Sequence, residues 1–167
     1  MNTFQIRAGV IDDLTALTDI YNYYIENTAI TFDVELYTSE TRSVWFEQFA
    51  EVGRHRLLVA EQEDEVLGYA CSASFKQKQA YETSVEVSIY LKPSAKGKGV
   101  GKVLYQALFE ELIKEDVHRA YAGITLPNDA SRIIHQKFGF ISAGLYREVG
   151  RKFDQYWDVE QFEKAIN

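Results

Sequence analysis

The chain is poor in the residues that staple or interrupt small domains. One cysteine, Cys71, excludes an internal disulfide and suits a reducing cytoplasm. Two prolines in 167 residues leave no Pro-rich linker. No apolar run approaches the ~20 residues of a membrane span. The opening "MNTFQIRAGVIDD" lacks the basic-then-apolar layout of a signal peptide. Basic residues are also in deficit, 18 Lys and Arg against 25 Asp and Glu, for a formal net charge of −7. A dedicated nucleic-acid binder carries a basic face, so none is expected, and no membrane partner either. What is abundant is core material: 46 % hydrophobic and 14 % aromatic residues. These imply one compact domain, residues 1–167, in the cytoplasm and large enough to bury a core.

Strand and helix signals alternate along this length. "FQIRAG" reads as a short strand. Leu14, Leu17, Ile20, Tyr21, Tyr24 and Ile25 recur at helical spacing behind the capping candidates Asp12 and Asp13. A second helix is predicted from Ser39 to Val52, with Val44, Trp45, Phe46 and Phe49 on its apolar side. "HRLLVAEQ" and "EVLGYACSASF" form a hairpin around Glu63 and Asp64. In "TSVEVSIYL", Val85, Val87, Ile89 and Leu91 alternate with Glu86, Ser88 and Tyr90. A helix over 99–115, a strand over 120–125, a helix over 129–138 and a β-rich tail from Ile141 follow. The order predicts an α/β protein with a mixed sheet flanked by helices.

The stretch "LKPSAKGKGVGKVLYQALFEEL" places Lys96, Gly97, Lys98, Gly99, Val100, Gly101 and Lys102 between a strand and a helix. It is not a Walker loop: counting back from Gly101-Lys102 reaches Lys96, and Val103 replaces the hydroxyl. It misses the dinucleotide fingerprint by one position, Lys102 standing where the third glycine belongs. Leu104, Leu108 and Leu112, with Val100, Val103 and Ala107, give the helix one apolar stripe. The amides of its first turn lack internal partners, and glycines let an anion approach them closely, so a diphosphate site has a physical cause. A solvated basic turn capping a helix fits the same residues.

The order K-x-x-G-x-G between strand and helix resembles the signature loop of the GNAT superfamily of acetyl-CoA-dependent N-acetyltransferases, with Lys96 where Gln or Arg is usual. "NYYIENTAITFD", "FKQKQAYETSVEVSIYLKP", "LPNDASRIIHQKFGF" and "GLYREVGRKFDQYWDVEQFEK" resemble, in the same order, the phosphinothricin (methionine sulfoximine) N-acetyltransferase family over residues 4 to 163. The resemblance implies a GNAT fold, a central twisted mixed β-sheet flanked by helices, with acetyl-CoA as co-substrate and no metal. The acceptor it implies is the α-amine of a small amino-acid-like acid. A polyamine or peptide N-terminus as acceptor, or a non-catalytic acetyl-CoA-binding module, are the alternatives. By the same resemblance, main-chain groups of Ile89, Tyr90 and Leu91 pair with the pantetheine arm. Amides from Gly97 to Lys102 take the pyrophosphate, and Asn128 and Ser131 lie along the coenzyme, although "PNDAS" would cap a helix in any case. Glu86 becomes the general base and His135 an acid, second base or substrate orienter. Taken alone, these two read as a solvent-facing strand residue and a structural histidine. Cys71 is core material and not a nucleophile. Lys76, Lys78, Tyr81 and Phe32 fall at family substrate positions, the lysines as readers of the acid groups. Relatives are homodimers, and Phe153, Tyr156, Trp157 and Phe162 offer a packed surface.

Overall fold

The computed structural model describes residues 4–167; residues 1–3 of the expected domain lie outside the described residues. Seven strands form one sheet: β1 (Gln5–Ala8), β2 (Leu57–Gln62), β3 (Glu65–Ser74), β4 (Ser84–Leu91), β5 (Arg119–Thr125), β6 (Ile141–Lys152) and β7 (Gln155–Ala165). Their spatial order is β1-β2-β3-β4-β5-β7-β6. Every neighbouring pair is antiparallel except β4 and β5, which makes the sheet mixed, as expected. Helices α1 (Leu14–Asn27) and α2 (Ser39–Phe46) cover one face, and α3 (Val100–Leu112) the other, with α4 (Asp129–Lys137) following β5.

Alternation in β4 sends its two rows of side chains into two different cores. Val85 and Val87 are buried against Leu104, Leu108 and Leu112 of α3. Behind the sheet, Leu17, Ile20 and Tyr24 of α1 pack on Val59, Tyr69 and Cys71. Glu86, Ser88 and Tyr90 point to this second side, opposite Ala73, Cys71 and Tyr69 of β3.

Some local expectations need correction. The helix predicted over 39–52 ends at Phe46, because the main chain of Ala50 turns to bond His55 at 3.1 Å and enters the β2 approach. Of its expected apolar side, Trp45, Phe46 and Phe49 pack on the core, whereas Val44 is 73 % exposed. Val103 likewise lies outside the buried stripe of α3, at 40 % exposure. Asp13 does not cap α1; its carboxylate accepts from Val10 N–H at 2.8 Å and from the Arg7 guanidinium, securing the short turn before the helix.

The feature that positions the site is a failure of pairing. β4 and β5 pair only over Ser84–Glu86 and Arg119–Tyr121, although β4 continues to Leu91 and β5 to Thr125. Beyond Glu86 the two strands diverge, leaving their facing main-chain groups free of each other.

Candidate active site

The hydrogen-bond alternation of an antiparallel pair decides which groups of β4 face that gap. Lys92 N–H bonds Leu67 C=O at 2.8 Å, so in this register the even-numbered residues Glu86, Ser88 and Tyr90 turn their main-chain groups toward β3. Those of Val87, Ile89 and Leu91 turn into the gap. Tyr90 therefore cannot pair with a pantetheine through its backbone, and the expectation for it is corrected by strand geometry; only its side chain is available. Leu91 is taken as well, since its C=O accepts from the Tyr24 hydroxyl at 2.7 Å and its N–H donates to the same hydroxyl at 3.4 Å. Ile89, joined by Val87, keeps an unsatisfied edge. From the other side, Leu126 N–H bonds Asp158 C=O, so the main chains of Gly123 and Thr125 face β4.

Ile89, Gly123, Thr125, Asn128, Ser131 and His135 line one cavity in this gap, together with Tyr105. A larger cavity, about 380 Å³, lies between Gly97, Gly99, Gly101 and Lys102 on one side and Ala130, Ile133 and Ile134 of α4 on the other; a Cβ at Gly101 would stand 3.3 Å from the Ile89 side chain, and Ile89 lines the first cavity. Gly97 and Gly99 adopt φ of 75° and 81°, a left-handed backbone that glycine accepts without strain. Among the described residues, the amides of Gly97, Lys98, Gly99, Val100 and Gly101 have no main-chain acceptor, whereas that of Lys102 bonds Gly99 C=O at 3.1 Å. Five of the six amides expected at a pyrophosphate are thus available at a helix N-terminus; Lys102 is excluded because the first turn of α3 uses its N–H. The side chain of Val100 is buried in the core, leaving only its backbone for the loop's ligand.

Space at Gly99 sharpens this. No protein atom lies within 4 Å of a Cβ built there. Gly99→Val should therefore strain the turn by roughly 1–2 kcal/mol and project into the loop's anion position. Loss of at least ~2 kcal/mol of acetyl-CoA affinity is expected by titration calorimetry, with the fold retained. Unchanged affinity in a folded variant would remove the loop from the coenzyme site.

Asn128 and Ser131 do cap a helix. The Asn128 side chain accepts from Ser131 N–H at 3.2 Å at the start of α4. Ser131 in turn holds His135: its C=O is 2.7 Å from His135 Nδ1, which must then be the protonated nitrogen. Nε2 is left to accept from the Tyr105 hydroxyl at 2.9 Å. His135 is 3 % exposed and boxed by the rings of Tyr105, Phe140 and Phe162. Burial lowers its pKa, partly offset by the Ser131 bond, so it is neutral at pH 7. Both ring nitrogens are committed, and the Tyr105–His135 pair together lines the gap. The only sequence signal for Tyr105 is a hydroxyl standing in the buried face of α3.

Glu86 is the converse. Its side chain is solvent-accessible and has no hydrogen-bond or ion-pair partner among the described residues. Partial loss of hydration raises its pKa. It stands opposite Tyr121 of β5, where pairing stops, and Tyr121 stacks on Phe75 at 4.2 Å. Tyr81 lies against Phe75 in turn, 38 % exposed.

The lysines are placed differently from expectation. Lys76 and Lys78 line a separate cavity with Arg54, His55, Glu115 and Asp116, because the loop after β3 bends toward the end of α3. Lys76 Nζ sits 5.2 Å from the Tyr81 ring, which is its link to the Glu86 side. Phe32 is held from behind. The Lys152 ammonium donates to Thr31 C=O at 2.8 Å, and the Phe32 ring covers Gly150, where any Cβ would come within 2.2 Å of it. No sequence pattern announces this clamp from β6. Cys71 is buried, and its thiol is pushed up to about 12 by desolvation, which keeps it protonated and non-nucleophilic. No group of three or more metal-ligating side chains occurs among the described residues.

Known proteins resemble this chain in sequence and fold. Residues 17–140 match the model of the Acetyltransferase (GNAT) family. The chain is 51 % identical to the phosphinothricin N-acetyltransferase of Streptomyces coelicolor, covering 97 % of this chain and 96 % of that one. It is 32 % identical to the L-methionine sulfoximine/L-methionine sulfone acetyltransferase of Pseudomonas paraeruginosa, over 93 % and 90 % of the two chains. A GNAT superfamily phosphinothricin acetyltransferase from Sinorhizobium meliloti, solved in complex with AcCoA, superposes with a TM-score of 0.92 at 29 % identity, over 98 % and 88 % of the two chains. With its splayed β4 and β5 and its glycine loop before α3, the chain belongs to the GNAT family of acetyltransferases and is an N-acetyltransferase.

Proposed function

We propose that this chain transfers the acetyl group of acetyl-CoA to the α-amine of a small amino-acid-like acid, of the phosphinothricin, methionine sulfoximine or methionine sulfone type. The observation that carries it is Glu86, an unpaired carboxylate of raised pKa on β4 where that strand parts from β5. The residues present suit the coenzyme. Free main-chain groups of Val87 and Ile89 offer a strand edge to the amides of a pantetheine, and the amides of Gly97–Gly101 offer an anion cradle to a diphosphate. Acetyl-CoA supplies an acetyl group activated as a thioester.

The chain's own residues do the rest. An α-amine is mostly ammonium at neutral pH, and Glu86, directly or through one water, accepts the proton that must leave before the nitrogen becomes a nucleophile. On the thiol side we assign the proton given to the departing sulfur to the Tyr105 hydroxyl, once it turns from His135 Nε2 toward the gap that it lines; the phenolate left behind recovers a proton from solvent, and His135 is its positioning partner. Phe32 and Tyr81 flank the acceptor. Ile89, with Asn128 and Ser131, lines the passage of the pantetheine.

Amine choice is tested by an acceptor panel of amino-acid sulfoximine, sulfone, phosphinothricin, a polyamine and a short peptide, following thiol release and product mass. Turnover with the amino-acid analogues alone is the expected result. Turnover with only the polyamine or the peptide would overturn the substrate assignment while keeping the family, and thiol-free binding of acetyl-CoA would leave a binding module.

The working form we propose is a single domain acting as a cytoplasmic homodimer. β6 is an edge strand, and it exposes Ile141, Leu145, Tyr146 and Val149 at 63, 46, 57 and 57 %. A long apolar edge of this kind is a template for a second chain. Phe153 and Tyr156 extend it at 54 and 62 % exposure. Phe162 is withdrawn from the expected surface, since it is 1 % exposed in the core, and Trp157 is tied back by its Nε1–H to Lys152 C=O at 2.9 Å. Sedimentation at micromolar concentration should give a dimer burying more than ~1,000 Å² in total. A monomer that stays monomeric across that range would refute it.

A further inference from the structure

Beyond Ser88 and Tyr90, on the side of the sheet covered by α1 and α2, lies a second cavity of about 150 Å³ closed in by Tyr21, Asp33, Tyr37 and Arg42. Arg42 is 3 % exposed. Its guanidinium sits between the rings of Tyr21 and Trp45, 4.2 and 4.1 Å from their centroids. Two N–H groups are used, one by Leu17 C=O at 2.7 Å and one by the Tyr69 hydroxyl at 2.8 Å. A guanidinium carries five such donors, and a buried one is ordinarily matched by a carboxylate. Arg42 forms no ion pair among the described residues.

Asp33 lines the same cavity without closing on it. Its Oδ2 accepts from the hydroxyls of Tyr21 at 2.6 Å and Tyr37 at 3.3 Å, and its Oδ1 has no donor among the described residues. A buried cation with spare donors and a carboxylate with a spare oxygen thus share one small space, held apart by the rings around them. A guanidinium and a carboxylate that line one cavity without pairing are both satisfied by a group between them that accepts from one and donates to the other.

We infer that this cavity receives the side-chain head of the acceptor, and that it selects a neutral head presenting an N–H donor and an oxygen acceptor on the same atom, as a sulfoximine does. The inference rests on the reading of Glu86 as the base for an α-amine. Ser88 and Tyr90 line both this cavity and the gap between β4 and β5. Glu86 is the next residue on the same face, about 6.5–7 Å along the strand from Ser88. An amino acid with its amine at Glu86 therefore reaches the cavity with a side chain of methionine length. There the sulfoximine N–H meets Asp33 Oδ1 and its oxygen meets Arg42. A sulfone offers two acceptors and turns one of them against Asp33. A phosphinate brings a full negative charge to a space in which Arg42 and Asp33 cancel.

The test compares kcat/KM of the parent enzyme and of Asp33→Asn for L-methionine sulfoximine, L-methionine sulfone and phosphinothricin. The parent should prefer sulfoximine to sulfone. In Asp33→Asn the amide oxygen takes over the tyrosine donors, its NH2 turns into the cavity, and the site becomes net positive. Sulfoximine should then lose about 10-fold or more, the worth of a hydrogen bond to a charged group. Phosphinothricin should gain, and KM for acetyl-CoA should not move. Arg42→Lys, which keeps the charge and loses the fork, should lower all three, and thermal melts report whether either variant folds. Equal changes for all three substrates in Asp33→Asn, or no change, would show that the cavity holds only water. A parent enzyme that does not distinguish sulfoximine from sulfone overturns the inference without any variant. If the parent acetylates none of the amino acids, the proposed function itself fails; if it acetylates them and the ratios stay fixed, only this inference does.

Discussion

Glu86→Gln is expected to lower kcat/KM by roughly 10²-fold or more, the usual scale for loss of a general base, while acetyl-CoA binding by calorimetry stays as in the parent. Glutamine keeps the shape and the hydrogen-bonding oxygen but cannot take a proton. The same substitution should not cost stability. The folded-state pKa of Glu86 is raised by desolvation, so the folded protein binds its proton more tightly than the unfolded chain. The ionised form is therefore a burden above the folded pKa, and that burden is relieved as pH falls through it. Removing the charge should leave Tm at pH 7 equal or higher. In the parent enzyme, kcat/KM should fall on the acid side as Glu86 becomes protonated, with a midpoint above that of an ordinary glutamate. A full-rate Glu86→Gln enzyme would move the base elsewhere and centre the pH profile on another group.

The second large effect is expected at the pair Tyr105 and His135. Tyr105→Phe and His135→Asn should each slow kcat by about 10-fold to 10²-fold, the lower range of acid–base contributions. The double variant should be little slower than the worse single one, because the two act through one hydrogen bond. Multiplicative losses would instead make them independent. His135 also fixes a stability signature. Its folded pKa is lowered from 6.5 by burial, so the unfolded chain takes up its proton first as pH falls. Stability should decline once pH drops below about 6.5, and level off below the folded pKa. His135→Asn should flatten that part of the Tm-against-pH curve. A curve unchanged by the substitution would contradict burial of a neutral imidazole.

The parts of the fold that the sequence disclosed are those where side-chain periodicity and backbone demand agree. Val85, Val87 and Ile89 alternate with Glu86 and Ser88 because one row meets α3 and the other does not. Gly97 and Gly99 announce a left-handed turn because few other residues occupy it freely. The hairpin at Glu63 and Asp64 is legible from the shortness of the turn between two strand patterns, even though both residues take a positive φ that their side chains do not favour. Residue patterns could not disclose which main-chain groups are free. That Tyr90 faces β3 while Ile89 faces the gap depends on the pairing register across two strands. Long-range contacts are equally hidden: the clamp of Lys152 on Thr31 spans 121 positions, and nothing in the pattern of α2 marks Arg42 as buried while Val44 beside it is exposed. Lys76 and Lys78 were placed by resemblance in a cleft that their loop turns away from.

The most direct single measurement is a crystal structure of the chain with a non-reactive acetyl-CoA analogue and L-methionine sulfoximine. The acceptor nitrogen is expected about 2.6–3.2 Å from a Glu86 carboxylate oxygen, or one water away, with the analogue's thioester between β4 and β5. An acceptor bound in the cavity of Lys76 and Lys78, with its amine out of reach of Glu86, would contradict the account.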